Sequence, residues 1–304
     1  MRILFVLLYV LLYSLINSTV AFANTTNSGL SLSPPFKEIE LAKDTTQSTF
    51  FIEIANNTTA LQTLYLSVVD FGTLDESGGV AFLGIQGEKL ERKYSLASWV
   101  SLEKDIIEIE GGKSQKVKIT ILNKESLSPG GHYAAVIATT PSTKEEKNVS
   151  FESALASLIF VKKTGGEIYK LNLVEKEISS RILGFPNKIS LRFQNSGNVH
   201  VVPRGTVEIL DPRGTKISKG VINDESGIIL PESFRLYPTS LTRSKWPIMP
   251  GKYNLNIQYR FDGKEDFSRD SSPFFFPGII GIGLPVILLV GLILLILKRR
   301  FKKQ

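Results

Sequence analysis

The stretch Q-K-V-K-I-T-I-L, residues 115–122, alternates polar and apolar side chains from Lys116 to Ile121. A β-strand with one buried face has this period of two, because successive side chains point to opposite faces of the sheet. The same period recurs in F-F-I-E-I-A, residues 50–55, and in Y-N-L-N-I-Q-Y, residues 253–259. The pattern therefore predicts half-buried strands in both halves of the chain.

Turn signals separate these predicted strands along residues 24–272. Many short strands punctuated by such turns are typical of sandwich folds. We predict an all-β fold of two tandem immunoglobulin-like β-sandwich domains followed by one transmembrane α-helix. The turn signals are clusters of glycine, proline and asparagine, and they include Gly111-Gly112, Pro129-Gly130-Gly131, Asn195-Ser196-Gly197-Asn198 and Pro250-Gly251.

The boundary between the two domains is predicted at Lys163-Thr164-Gly165-Gly166. About 250 residues lie between the two apolar ends of the chain, which fits two domains of average size. We assign residues 24–163 to the first sandwich. We assign residues 164–273 to the second sandwich and a short tether, Asp270-Ser271-Ser272-Pro273.

A weak internal repeat supports two similar domains. Tyr133 follows Pro129-Gly130-Gly131-His132, and Tyr253 follows Pro250-Gly251-Lys252. A tyrosine that leads a late strand after a tight turn is a feature of the tyrosine corner of immunoglobulin-like sandwiches. An ordinary tyrosine with high β-propensity fits the two positions equally well.

The N-terminus has the pattern of a secretory signal peptide. Met1-Arg2 precedes an apolar run over residues 3–16, and Ala21-Phe22-Ala23 provides the small residues of a cleavage site. We expect residues 1–23 to be removed after Ala23. The alternative is an uncleaved anchor helix.

The C-terminus contains a second apolar segment, residues 274–297, that carries no charge. Its 24 residues would form a helix about 36 Å long, enough to cross a hydrocarbon core of about 30 Å. The basic tail, residues 298–304, predicts a cytoplasmic C-terminus by the positive-inside rule. We therefore expect a single-pass protein of the cell membrane with its N-terminus outside and residues 274–297 in the lipid bilayer. A buried core helix is the alternative.

Composition and charge exclude several classes of function. The chain has 304 residues, 36 Lys and Arg, 29 Asp and Glu, and no Cys. Without cysteine there is no disulfide framework, no Cys-based metal site and no thiol nucleophile. Arg2 and the five basic tail residues leave 30 basic and 29 acidic residues outside the membrane. This balance gives no basic face for a nucleic-acid partner.

The sequence offers few residues for catalysis. His132 and His200 are the only histidines, and no G-x-S-x-G motif accompanies them. We expect both on strands, at the surface or packed, and we predict a protein that is not an enzyme, with no catalytic residues and no cofactor. A hydrolase with an unrecognised site is the competing class.

Two further groups of residues leave alternatives open. The densest acidic set fits a solvated, turn-like loop, or a Ca²⁺ site that lacks the EF-hand spacing. The only two tryptophans, Trp99 and Trp246, fit core or inter-sheet packing, with a carbohydrate-stacking platform as the alternative. The acidic set is Asp262, Glu265, Asp266 and Asp270.

The order of these motifs resembles a known family. Ser33-Pro34-Pro35 and the segments 50–57, 64–71, 97–102, 111–121 and 129–138 resemble the peptidoglycan-binding-type immunoglobulin-like domain of bacterial WxL-interacting surface proteins. That fold is similar to the first domain of pilus chaperones. Segments 193–200 and 203–207 look like the second sandwich of such proteins. The signal, the two sandwiches, the membrane helix and the basic tail also match their layout.

Together with the topology, the paired sandwiches and the missing catalytic set, the resemblance implies a non-enzymatic, membrane-anchored bacterial cell-surface protein for binding or adhesion. Its ligand would be peptidoglycan, a cell-wall polymer, or another surface protein, and no ligand-contacting residues can be carried over. The alternative is a membrane-tethered assembly chaperone. In that hypothesis the S-A-L-A-S-L-I stretch, residues 153–159, is an exposed sheet edge that pairs with a strand of a client protein.

Overall fold

A computed structural model describes residues 29–82, 92–140, 154–182 and 184–301. The expected signal peptide and the polar loop between residues 141 and 153 lie outside the described residues. The described chain is built of strands up to Phe276 and ends in one long helix, so the predicted all-β fold with a terminal helix is confirmed.

The first domain packs two sheets around one core. One sheet has the order β1-β3-β8-β6, and the other has the order β2-β10-β9-β4-β5 with β7 on the free end of β4. In β8 the side chains of Val117, Ile119 and Ile121 are buried in the core between the sheets, as the sequence alternation predicts. The strands are β1 (Leu30–Ser33), β2 (Phe36–Leu41), β3 (Gln47–Asn56), β4 (Gln62–Thr73), β5 (Val80–Phe82), β6 (Val100–Leu102), β7 (Ile106–Ile109), β8 (Ser114–Leu122), β9 (Gly130–Thr139) and β10 (Ala154–Lys163), with 3₁₀ turns at Arg92–Tyr94 and Ala97–Trp99.

The N-terminal segment of this domain changes sheets. β1 pairs with β3 in one sheet, and β2 pairs with β10 in the other. Pro34 and Pro35 separate the two strands, and the Ser33–Pro34 peptide bond is cis. Proline has no N–H to donate to a ladder, so the switch occurs at these two residues, of which Pro35 still accepts a hydrogen bond from β10 through its carbonyl.

The second domain also packs two sheets around a core of its own. The sheets have the orders β11-β12-β15 and β16-β14-β13-β17-β18. Phe193, Val207 and Ile257 are fully buried between them. The strands are β11 (Leu171–Ile182), β12 (Phe185–Asn195), β13 (Arg204–Leu210), β14 (Lys216–Ile222), β15 (Phe234–Ser240), β16 (Thr242–Arg243), β17 (Gly251–Phe261) and β18 (Lys264–Phe276).

The C-terminal end differs from the sequence prediction. Residues 270–273, expected as a tether, lie in β18, which pairs with β17 from Phe261↔Lys264 to Gly251↔Phe276. Most of the acidic residues expected in a turn-like loop therefore lie on a strand. β18 is the edge strand of its sheet, and an edge tolerates polar side chains and Pro273.

The helix, α1 (Gly278–Phe301), begins four residues later than the predicted membrane segment. Phe274 and Phe276 instead pack into the second core. Gly278–Ile296 has a mean hydropathy of 3.1 and is unburied, so this helix is long and apolar enough to cross a membrane.

The two candidate tyrosine corners have different partners. The Tyr253 hydroxyl donates to the backbone carbonyl of Met249, four residues upstream, at 2.8 Å, which is the contact of a tyrosine corner. The Tyr133 hydroxyl lies 3.2 Å from Nδ1 of His200 in the other domain. Only Tyr253 therefore forms the corner.

Candidate functional site at the domain boundary

The β10 strand is partly an edge and partly interior. It pairs with β9 along its whole length, but its ladder with β2 begins only at Leu158, whose N–H donates to the Pro35 carbonyl at 2.9 Å. Among the described residues, Ala154–Ser157 have β9 as their one ladder partner. The predicted edge over residues 153–159 is therefore wrong at Leu158 and Ile159, which β2 covers, and Ser153 lies outside the described residues.

The two faces of β10 serve different parts of the molecule. Ile159 and Val161 are fully buried in the core of the first domain. Leu158 and Phe160 point to the opposite face and pack in a cluster that includes Ile228 and Leu230 of the second domain. Because each face of β10 packs against apolar side chains, both faces are apolar, and residues 158–161 form a continuous apolar run in the sequence.

A cavity of about 290 Å³ opens between the domains next to this strand. Phe36 of β2 stands at its wall with 55% of its surface exposed, which is unusual for a phenylalanine. The free part of β10, residues 154–157, ends next to Leu158, which lines this apolar recess. The side chains that line the recess include Phe71, Leu158 and Phe160 of the first domain and Ile228, Leu230 and Phe234 of the second.

An aromatic cluster lies behind the cavity. The Phe71 ring lies 5.3 Å from Phe160 and 5.8 Å from Tyr133, at inclined angles that aromatic pairs favour. The His200 ring of the second domain lies 5.3 Å from Phe160 and 5.6 Å from Tyr133. The cluster therefore joins the two domains through apolar contact.

A chain of hydrogen bonds with a buried histidine at its centre crosses the same boundary. His200 is fully buried; its Nδ1 faces the Tyr133 hydroxyl, and its Nε2 lies 3.0 Å from Oε1 of Glu38. Because a carboxylate only accepts hydrogen bonds, Nε2 carries the proton and Nδ1 accepts from Tyr133. Lys162 reaches the same Glu38 oxygen at 2.7 Å. Each polar group in the chain therefore has a partner.

The protonation of this chain follows from its surroundings. The hydrogen bond from His200 and the contact with Lys162 lower the pKa of Glu38 to about 2, against the opposing effect of burial. Burial lowers the pKa of His200, although Glu38 partly opposes the shift. At neutral pH the arrangement is a neutral imidazole between a tyrosine hydroxyl and a carboxylate.

Contacts at the rim of the boundary are polar. The Arg192 guanidinium donates to both carboxylate oxygens of Glu76 at 2.7 and 2.6 Å. The Leu236 N–H donates to the Glu76 carbonyl at 2.8 Å, so the β4–β5 turn covers the outer edge of β15. Lys93 and Tyr94 both contact Glu232. These contacts fix the second domain against the turn and the 3₁₀ segment of the first.

One cation lies in the wall of the cavity. Arg235 donates through Nη1 to the Ile228 carbonyl at 2.7 Å, and its buried Nε has no partner among the described residues. Gly78 and Gly227 make room for the guanidinium, since a Cβ atom at either position would lie within 2.6 Å of it. A polar group entering the cavity would meet this side chain and also Asp75 and Glu225, which line the same cavity.

Sequence reasoning expected both histidines on strands, which is correct for His132 in β9, whereas His200 lies in the segment between β12 and β13. It missed the neighbours of both. Both are buried on or next to strands; His132 lies between the Ser95 and Ser128 carbonyls, at 3.1 and 2.8 Å, and burial lowers its pKa. Glu38 was not singled out, because its partner is 162 positions away. Phe36, an apolar residue on the same strand face as Glu38 and Glu40 in F-K-E-I-E-L, was the available signal.

The acidic set does not gather in one place. Asp262 accepts from the Val202 N–H at 3.0 Å and from Arg204 at 3.2 Å. Asp270 pairs with Lys176. Within the described ranges, no three His, Asp or Glu side chains are grouped as a metal site requires.

The two tryptophans have different surroundings. Trp99 is half-buried against the first core, as expected. Trp246 is 63% exposed beside the start of α1, so the expectation of core packing is wrong for it. Trp246 lies in the apolar sequence Trp246-Pro247-Ile248, but the side chains of Trp246 and Ile248 are both exposed on the loop.

Known proteins give only distant similarity. No protein-family model matches the chain, and no curated protein matches it; membership of the WxL-interacting family stays a prediction. A chain from the chaperone–tip adhesin complex of CFA/I fimbriae is 10% identical over 83% of this chain and 100% of that chain, with a TM-score of 0.42. The class 5 fimbriae chaperone CfaA is 12% identical over 80% and 98%, with a TM-score of 0.42. The Escherichia coli chaperone DraB is 13% identical over 81% and 95%, with a TM-score of 0.36.

Proposed function

We propose that this chain is a membrane-anchored, non-enzymatic protein that holds an extended segment of a partner protein by β-strand addition to Ala154–Ser157. The observation that carries the proposal is the half-free β10 strand beside an apolar cavity. The proposal develops the hypothesis of an assembly chaperone. It also assigns both sandwiches to the immunoglobulin-like class. The wall-polymer hypothesis has less support, since Trp99 packs inward and Trp246 lies next to the membrane helix.

Backbone direction defines what this edge offers. Leu158 points its N–H toward β2, and alternate residues of a strand point to the same side. Ala154 and Ala156 therefore point N–H and C=O groups away from β9. An extended chain that continued the line of β2 would meet these groups and complete the ladder.

The cavity supplies a place for side chains of the partner. A volume of about 290 Å³ is ample for a large apolar side chain. Phe36 is a large apolar wall residue with more than half of its surface left to bury, and Arg235 also lines the recess. Main-chain pairing would give affinity and the recess would give preference for an apolar residue at one position of the strand.

The contacts between the domains keep the recess open. One wall belongs to the first domain, and the other belongs to the loop before β15 and to the first two residues of β15, Phe234 and Arg235. The Tyr133–His200–Glu38 chain and the Glu76–Arg192 pair hold these walls in one arrangement. A preformed site avoids the entropic cost of ordering on binding.

Membrane anchoring completes the proposal. α1 would span the bilayer, with Lys298, Arg299 and Arg300 on the cytoplasmic side and both sandwiches outside. The binding edge would then face clients on the outer side of the membrane. His132 and His200 have structural partners in this arrangement and no catalytic role.

The test is site-specific cross-linking of the full chain in the cells that make it. A photo-reactive amino acid at Ala154 should give a discrete protein adduct, and the same amino acid at exposed Val221 of β14 should not. Ala156→Pro should abolish the adduct while leaving the fold intact, because its N–H points away from β9. Leu155→Pro is the matched control, since its N–H lies on the β9 side and its loss should destabilise the domain.

The proposal is wrong if no adduct forms at Ala154, or if the adduct survives Ala156→Pro unchanged. In either case strand addition at this edge is not what the chain does.

A further inference from the structure

Three large apolar side chains surround the start of α1 on the surface of the second domain. Trp246 is 63% exposed, Ile248 is 52% exposed and Phe275 is 74% exposed. We call these three residues the membrane collar. Exposed apolar side chains of this size grouped at one end of a domain mark an interaction surface.

Backbone hydrogen bonds place the collar at the level of the helix start. The first N–H groups of a helix have no intrahelical acceptor. Here the Ile279 N–H donates to the Pro247 carbonyl at 2.9 Å, and the Ile280 N–H donates to the Ile248 carbonyl at 3.2 Å. The loop that carries Trp246 and Ile248 is therefore the cap of the helix.

The junction between β18 and α1 has no slack. Pro277 is the single residue between the strand and the helix. Gly278 has φ +65°, and a Cβ atom there would lie 2.5 Å from the carbonyl oxygens of Ile248 and Met249. Only glycine fits this contact, and the contact holds the loop of Trp246 and Ile248 against the start of the helix.

Cationic side chains accompany the collar. The Arg243 guanidinium lies 4.7 Å from the Trp246 ring, and Lys252 is exposed directly opposite Phe275 on the neighbouring strand. Lys245 is also exposed next to Trp246. Asp211, the acidic group near Tyr253, already accepts backbone N–H groups of its own turn. The charge around the collar is thus suited to lipid phosphates.

From these features we infer that the membrane collar sits in the headgroup region of the bilayer, so that the second domain rests on the lipid surface. The inference depends on the proposed membrane span of α1. The occupant of this surface is the bilayer itself, because the collar is covalently continuous with the span. Tryptophan rings favour this depth, where the ring is half in hydrocarbon and the N–H is hydrated. Arg243, Lys245 and Lys252 face the phosphates.

The two tryptophans of the chain allow a direct test. Full-length Trp99→Phe protein, which keeps only Trp246, is reconstituted into phosphatidylcholine–phosphatidylglycerol vesicles. Separate samples contain lipids brominated close to the headgroup or close to the chain end. Bromines close to the headgroup should quench Trp246 about twofold and more than the deeper ones, since interfacial tryptophans sit at headgroup level.

Two matched variants report positions away from the lipid. Trp246→Phe keeps only Trp99, in the first domain, and should not be quenched. Phe267→Trp in a chain without both native tryptophans places the probe on the same strand as Phe275, about 25 Å away along β18 at the usual rise per residue. This probe should also remain unquenched, because Phe267 is exposed near the other end of the strand.

Two outcomes overturn the inference. If the protein floats with the vesicles after an alkaline wash but Trp246 is unquenched, the span stands and the collar does not touch lipid. If the protein does not float at all, α1 does not span and the anchoring part of the proposed function fails with it.

Discussion

Tyr133 and Tyr253 occupy equivalent places in the two domains and have different roles. Each follows a Pro-Gly turn, leads a late strand and is almost completely buried. Tyr253 bonds within its own domain, to the Met249 carbonyl at 2.8 Å. Tyr133 points its hydroxyl across the domain boundary to His200.

The difference shows that local sequence sets the strand and the burial, but the surroundings set the partner. The face of β17 that carries Tyr253 lies inside a sandwich, where the ring packs on Phe185, Phe274 and Phe276. The face of β9 that carries Tyr133 lies outside the first sandwich and is covered by the second domain. The same residue is therefore a core residue in one place and an interface residue in the other.

Removing the ring of Tyr133 or of Tyr253 should lower stability more than any other change considered below. Deleting a buried aromatic side chain costs about 3–5 kcal/mol. Tyr253→Ala should destabilise the second domain alone, and Tyr133→Ala should loosen the contact between the domains. Hydrogen exchange of the full chain, read by mass spectrometry, localises each loss of protection. Equal loss across both domains in both variants would contradict the separate roles.

Replacing His200 should cost less, about 1–3 kcal/mol, because the Tyr133 hydroxyl and Glu38 then lose a buried partner. His200→Ala should reduce hydrogen-exchange protection on both sides of the boundary. His132→Ala is the matched control: it removes an equally buried histidine whose partners lie in one domain, so its effect should remain in the first domain. A purely local effect of His200→Ala would show that the bond chain does not couple the domains.

Acidification should destabilise the contact between the two domains in two ranges of pH. The folded-state pKa of His200 is lowered from 6.5, so the unfolded chain binds more protons below that pH and stability falls. The folded-state pKa of Glu38 is about 2, against 4.5 unfolded, so its contribution is complete above pH 4.5 and is lost as the pH falls toward 2. Solvent screening reduces the contribution of Glu38 to the free energy of unfolding, since this side chain is half exposed.

Thermal unfolding as a function of pH checks this prediction. His200→Gln should flatten part of the range below pH 6.5 and leave the contribution of His132, whose pKa is also lowered by burial. An unchanged pH profile in His200→Gln would assign the dependence to other groups.

Deleting only the hydroxyl groups should have the smallest effect, about 1 kcal/mol for each hydrogen bond. Tyr253→Phe should lower the midpoint of the second domain without changing the boundary. Tyr133→Phe should instead leave Nδ1 of His200 without a donor. Denaturant unfolding, followed separately for each domain, distinguishes the two variants. Identical shifts of the unfolding midpoint in both domains would contradict their different roles.

The sequence predicted the strands well because a half-buried strand leaves a period of two in its own residues. It predicted the interface poorly because Glu38, Tyr133 and His200 come from three distant segments. The free edge of β10 was placed only in part, since the β2 strand that covers Leu158 is more than a hundred residues upstream. Polar residues on β18 resembled a loop, because an edge strand does not need apolar side chains on both faces.

The ladder between β17 and β18 also determines how the protein would respond to a pulling force. β18 ends at the helix, whereas β11 starts at the opposite end of the second domain, since its far end meets Phe185 beside Phe276. A pull between the first domain and the helix would run along the strands. All the bonds from Gly251↔Phe276 to Phe261↔Lys264 would then be loaded in shear together, and the edge strand could not be peeled off one bond at a time.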